Sequence, residues 1–138
     1  MKNRKILFLT FLLICFCNVS TAQTWVYVGL NEQGEKTYVN TKHIVQVSPN
    51  VKKVWTKFSK KNYKFYENGG YRIIPLITYT YLAEYDCYNK TTKNITLIVR
   101  EESNGKILLN QTREKSEQKL EYMVPDTIGE AIINYLCK

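Results

Sequence analysis

The stretch Val124-Pro-Asp-Thr-Ile-Gly-Glu-Ala-Ile-Ile-Asn-Tyr-Leu-Cys-Lys138 decides how the whole chain folds. Asp126, directly after Pro125, is placed to cap a helix, its carboxylate accepting from first-turn amides that have no intrahelical partner. Ile128, Ile132, Tyr135 and Leu136 then recur at i, i+4, i+7 and i+8, a single apolar stripe. A helix of about a dozen residues is marginal alone in water, so it must lie on another element. Cys137 can pin it there. Cys87, at the end of a tyrosine-rich stretch, is the only other cysteine outside the N-terminal apolar run. The sequence therefore predicts a sheet with a short helix tied across it.

The N-terminal end predicts why that tie would be covalent. Lys2, Arg4 and Lys5 precede an apolar run from Ile6 to Cys17, and Ser20-Thr21-Ala22 follows as a small-residue cleavage pattern. The run is too short to span a bilayer, so residues 1–23 are expected to be a signal peptide and residues 24–138 one domain. No transmembrane segment is expected after its removal. Export leads to an oxidising compartment, where two remaining cysteines pair rather than stay free. Cys15 and Cys17 follow Ile14 and Phe16, not the small residue that lipid modification requires, so they are expected to leave with the leader. Beyond the leader, 17 Lys and Arg face 12 Asp and Glu, a net charge of +5 that favours acidic partners.

Between these ends the chain reads as strands. Trp25 to Leu30 is β-branched and aromatic, Asn31 to Gly34 turns, and Lys36 to Asn40 returns as a hairpin. Thr41 to Ser48 carries Ile44 and Val47 at i, i+3, as a helical turn would. Val51 to Ser59 alternates, with Val54, Thr56 and Phe58 on one face and Lys53, Trp55 and Lys57 on the other. Lys60 to Tyr71 is polar and basic without a usable period and is expected to be a long exposed loop, closed by Pro75. Thr78 to Tyr88 places Tyr79, Tyr81, Ala83, Tyr85 and Cys87 on one face. Asn94 to Glu101 and Lys106 to Thr112 flank a Ser103-Asn-Gly105 turn. Arg113 to Glu121 shows no pattern. The expected fold class is α+β: a six-stranded, mostly antiparallel sheet with one C-terminal helix.

These residues, in this order, resemble the surface-adhesin E family of small bacterial envelope proteins. The resemblance lies in Trp25, Gly34 and Tyr38-Val-Asn40, in Val54-Trp55-Thr-Lys57, in Glu84-Tyr-Asp86-Cys87, and in Pro125 leading to Cys137. Tyr122 stands where the family tends to carry tryptophan. The resemblance implies a six-stranded antiparallel sheet whose concave side holds the helix through a Cys87–Cys137 disulfide. It further implies a protein of a Gram-negative cell surface that binds laminin, vitronectin and plasminogen.

The residues themselves say more about what the chain is not. His43 is the only histidine, which leaves no His-based metal site or Ser-His-Asp arrangement; neither catalytic residue, metal nor cofactor is expected. Asp86 is expected to pair with Arg100 across strands. Glu84 and Asp86 share a strand face as alternation alone dictates. The candidate binding residues are Lys53, Trp55, Lys57, Lys60, Lys61, Lys64 and Arg72, cations interleaved with aromatics in a pattern suited to an extracellular protein or a sulfated glycan. Export argues against nucleic acid. Lys138, as a terminal lysine, is a candidate for lysine-recognising modules. The tyrosine row is expected to be core beneath the helix, with a stacking platform for a sugar as the alternative. Two functions stay open: a secreted or outer-envelope binding module, or a periplasmic interaction protein without a host ligand that dimerises through a strand edge.

Overall fold

The computed structural model describes residues 24–138; the expected leader, with Cys15 and Cys17, lies outside them. Eight strands form one antiparallel sheet: β1 (Trp25–Leu30), β2 (Lys36–Asn40), β3 (Val45–Ser48), β4 (Val51–Glu67), β5 (Gly70–Asp86), β6 (Thr91–Glu101), β7 (Ile107–Thr112) and β8 (Leu120–Tyr122). Six of them run β1-β2-β4-β5-β6-β7 across the sheet, while β3 pairs with one end of β4 and β8 with the start of β6. One helix, α1 (Ile128–Leu136), follows.

The turns explain the connections. Asn31 Oδ1 accepts from the Gln33 and Glu35 amides, at 3.1 and 2.8 Å, to close the β1–β2 hairpin. At the β5–β6 corner the Asp86 carboxylate accepts from the Tyr88 and Asn89 amides and from Asn89 Nδ2. Those bonds hold Asp86 below the usual carboxylate range, Asn89 contributing most. Asp86 therefore does not pair with Arg100. In the ladder it stands opposite Thr91, whereas Arg100 stands opposite Thr78.

The spine is the β4–β5 pair, in constant register from Val51↔Asp86 to Glu67↔Gly70. Lys60 to Tyr71 is thus not a loop, and β5 begins at Gly70 rather than Thr78. Alternation along β4 is reset at Asn62, whose φ is 52° and which stands opposite Pro75, a residue with no amide to donate. Phe58 and Tyr63, five residues apart, consequently both meet Tyr79. Thr41 to Ser48 also differs from a single helical turn: Thr41–His43 is 3₁₀, capped by Asn40, and β3 follows.

The helix lies on one face of the sheet. Ile132, Ile133 and Leu136 pack with Val39, Val54, Ala83 and Tyr85, and Cys137 bonds Cys87 across a Cα separation of 5.6 Å. Ile133, outside the apolar stripe read from the sequence, is fully buried, because a helix this short turns a broader face to the sheet. Its cap also differs. Asp126 sits at φ 59° and Thr127 occupies the N-cap, while the Glu130 carboxylate accepts from the Asp126 amide at 2.8 Å. The Lys52 ammonium donates to the Leu136 carbonyl, a cation at the negative end of the helix.

Candidate functional site

Beyond the core sheet, β4 and β5 continue as a two-stranded ribbon. β2 pairs β4 only at Thr56 to Phe58, and β6 pairs β5 only from Ile77. Among the described residues, Lys61 to Leu76 therefore have no strand partner but each other, although the Glu102 amide donates to the Leu76 carbonyl at 3.1 Å. Six residue steps from Lys61 to Glu67 extend about 20 Å at the usual strand rise. A two-residue Asn68-Gly69 turn, both residues at positive φ, closes the tip. The ribbon's inner side carries Tyr63 and Phe65 against Ile74, Ile77 and Val99. Its outer side leaves Tyr66, Tyr71 and Ile73 60–67% exposed. Tyr66 and Tyr71 meet edge to face at 5.1 Å, and the Lys64 ammonium sits 4.2 Å over the Tyr71 ring.

The candidate cations separate along this frame. Lys60, Lys61 and Lys64 lie on the ribbon strand that has no outer neighbour. Lys53, Trp55 and Lys57 share the sheet face opposite the helix, where the Lys57 ammonium sits 4.4 Å over the Trp25 ring and 5.8 Å from the Tyr38 centroid. Arg72 faces inward instead. Its guanidinium meets both Glu101 oxygens at 3.1 and 3.2 Å, and Glu67 at 3.6 Å, so its charge is already matched. The Ser103 hydroxyl, and then Arg72, hold Glu101 below the usual carboxylate range against the opposing effect of desolvation. Arg72 stands opposite Phe65, two rungs from the tip, so this pair, with the Lys106 ammonium 3.2 Å from Glu67, ties the outer half of the ribbon to the β6–β7 hairpin. Lys138 adjoins the disulfide, and Cys87 donates to the Asn50 carbonyl. Lys64 lies fourteen residues along β4 from Asn50, roughly 45 Å, so the terminal lysine belongs to the opposite end of the molecule.

The tyrosine row divides as well. Tyr85 is buried beneath the helix, its hydroxyl bonded to Thr56 and Thr92, and desolvation pushes its pKa up to about 12. Tyr79 and Tyr81 lie past the helix, half-buried, and form with Phe58 a near-parallel trio with centroids 4.9–6.3 Å apart. Burial raises both tyrosine pKa values, and Tyr63 adds to the rise at Tyr79. Between this trio and the start of α1 lies a cavity of about 290 Å³, lined by Asn31, Thr37, Phe58, Tyr81, Asn94 and Met123 among others. Neither the ribbon nor this cavity follows from the sequence pattern, although Asn68-Gly69 is the kind of dipeptide that signals a hairpin.

Among the described residues no group of three or more His, Cys, Asp and Glu side chains is placed to hold a metal ion. No helix among them is long and apolar enough to cross a membrane. The sequence model of the family described as Surface-adhesin protein E matches residues 25–138, nearly the whole described chain. The chain belongs to the surface-adhesin protein E family. Solved structures of Haemophilus influenzae protein E share the adhesin-family fold. One superposes with a TM-score of 0.53 at 12% identity, covering 80% of this chain and 84% of that one. Another gives 0.52 at 14% identity and covers 86% of each. At these identities the likeness speaks for the architecture and not for ligand contacts. No curated protein matches this family member significantly in sequence.

Proposed function

We propose that this chain is an exported binding protein whose projecting ribbon docks acidic or sulfated segments of extracellular macromolecules, laminin and vitronectin among them. The observation that carries the proposal is the ribbon's outer side: Lys64, Tyr66, Tyr71 and Ile73 exposed together on a strand pair with no other strand beside it. Cations next to aromatic faces give charge attraction and apolar contact at one place. The three lysines on the open strand also repel a second copy of it, so an acidic partner fits this edge better than self-pairing. Residues 1–23 supply the export signal in this account.

The test replaces Lys60, Lys61 and Lys64 with Glu and measures binding to immobilised heparin, laminin and vitronectin at several salt concentrations. Wild-type binding weakens with salt, and the variant binds at least about tenfold more weakly, since each of these cations, Lys60 half-buried and the other two exposed, contributes on the order of 0.5 kcal/mol or more. Equal binding by the two proteins removes the ribbon as the site. A second activity, self-association, is favoured at the opposite edge. β7 carries Ile107 and Leu109 half-exposed and has no charged residue in its six positions. Sedimentation of the wild type and of Leu109→Lys tests it: a wild-type dimer that the lysine dissociates supports it, and a monomer at high concentration rules it out.

A further inference from the structure

We propose that the cavity between α1 and the aromatic trio is a second binding site, for a neutral oligosaccharide, chemically distinct from the basic ribbon. None of the cavity's lining side chains carries a charge. A sulfated or phosphorylated group placed there would lose its hydration without a counter-charge, which excludes the ribbon's class of ligand. The lining instead combines two kinds of surface. Tyr81 and Phe58 present near-parallel rings, 5.9 Å apart and 18° from coplanar, and ring faces of this kind receive the C–H side of a pyranose. Beside them stand the amide of Asn94 and the hydroxyl of Thr37, the donors and acceptors that sugar hydroxyls require, while the Asn31 amide is held by its own turn.

Thr37 supplies the independent sign of a ligand. The residue is only 3% exposed, and its Oγ1 finds no hydrogen-bond partner among the described residues. A buried hydroxyl left unpaired destabilises a fold, so such atoms are uncommon and call for an occupant that completes them. A second, smaller cavity of about 50 Å³ shares Tyr81 and Asn94 with the first and is lined also by Gln111 and by Arg113, the one charged side chain at its wall. Two hollows lined in part by the same ring and the same amide suit a chain of rings better than a single compact metabolite. The main cavity, at the lower end of ligand-site sizes, takes the first ring, and the smaller one receives substituents of the next.

The test titrates the wild-type protein with N,N′-diacetylchitobiose, lactose and maltotriose, following backbone amide shifts and binding heat. At least one probe is expected to bind and to move the amides of Thr37, Tyr81 and Asn94 while leaving those of Lys64 and Tyr71 in place. Tyr81→Ala weakens that binding about tenfold. Thr37→Val weakens it about fivefold while the thermal midpoint stays level or rises, because the valine removes an unpaired polar atom. That combination separates a ligand contact from a merely structural role. The Lys60, Lys61 and Lys64 triple variant binds the saccharide as the wild type does, so failure of the ribbon proposal and failure of this one are distinguishable. No response to any of the three probes, shifts mapped away from the cavity, or unchanged affinity in Thr37→Val overturns the assignment; if Tyr81→Ala does not fold, the wild-type shift map and Thr37→Val decide.

Discussion

Replacing Cys87 and Cys137 together with serine tests the architecture most directly. The bond closes a segment of 50 residues holding β6, β7, β8 and α1. In the chain-entropy account, releasing a loop of that length from the unfolded ensemble costs the fold about 4 kcal/mol. Domains of this size have total stabilities of roughly 5–15 kcal/mol, so the loss is a large fraction of the whole. The native state should nevertheless persist, because Ile132, Ile133 and Leu136 stay buried against Val39, Val54 and Tyr85 without the sulfurs. The expected variant is folded, with a melting temperature lowered by about 15 °C. Guanidinium melts of the oxidised wild type, the reduced wild type and the double serine variant, followed by circular dichroism and tryptophan fluorescence, supply the measurement. The reduced protein and the variant should coincide, well below the oxidised protein. The ribbon lies outside the closed segment, so heparin binding below the melting range should survive in all three. Three curves within 1 kcal/mol of one another, at equal slope, would refute the reasoning.

Two further outcomes follow from the core. Ile133→Ala should cost about 3 kcal/mol, because the side chain is fully enclosed between helix and sheet and its removal leaves a cavity; Ile128→Ala, at the half-buried start of the helix, should cost clearly less in the same denaturant melts. Tyr85 gives a pH dependence. Its folded pKa is raised from 10.0 to about 12 by burial. The stabilisation is therefore complete below pH 10 and declines between pH 10 and 12 by about 1.4 kcal/mol per unit. Denaturant melts across that range should show the decline, and Tyr85→Phe should flatten it.

The helix, its sulfur bond and the helix-covered face were legible because each rests on a short, strong signal: the 3.6-residue spacing from Ile128, the cysteine pair, and the period of two through Val54 and Thr56. What escaped did so for physical reasons. The ribbon looks irregular because alternation changes phase at Asn62, whose left-handed backbone brings Tyr63 and Phe65 inward where Lys60 had faced. Lysines and an Asn-Gly pair resemble loop composition, although that dipeptide is what a two-residue hairpin turn requires. Arg72 has the composition of a binding cation, and only the fold brings Glu101 to it from 29 residues away. Asp126 after Pro125 has the sequence signature of a cap, yet a residue turned to φ 59° cannot serve as one, and Thr127 stands there instead. The cavity is the least visible of all, since β1–β2, β4, β5, β6 and the start of the helix each supply part of its wall.

The ribbon's outer side has a consequence for descent. Lys64, Tyr66, Tyr71 and Ile73 project from a strand pair held together by its backbone ladder, far from the helix and its sulfur bond. Selection can rewrite those side chains without disturbing how the remainder holds together. Lineages that keep the same frame are then free to diverge in the side chains they carry along this ribbon.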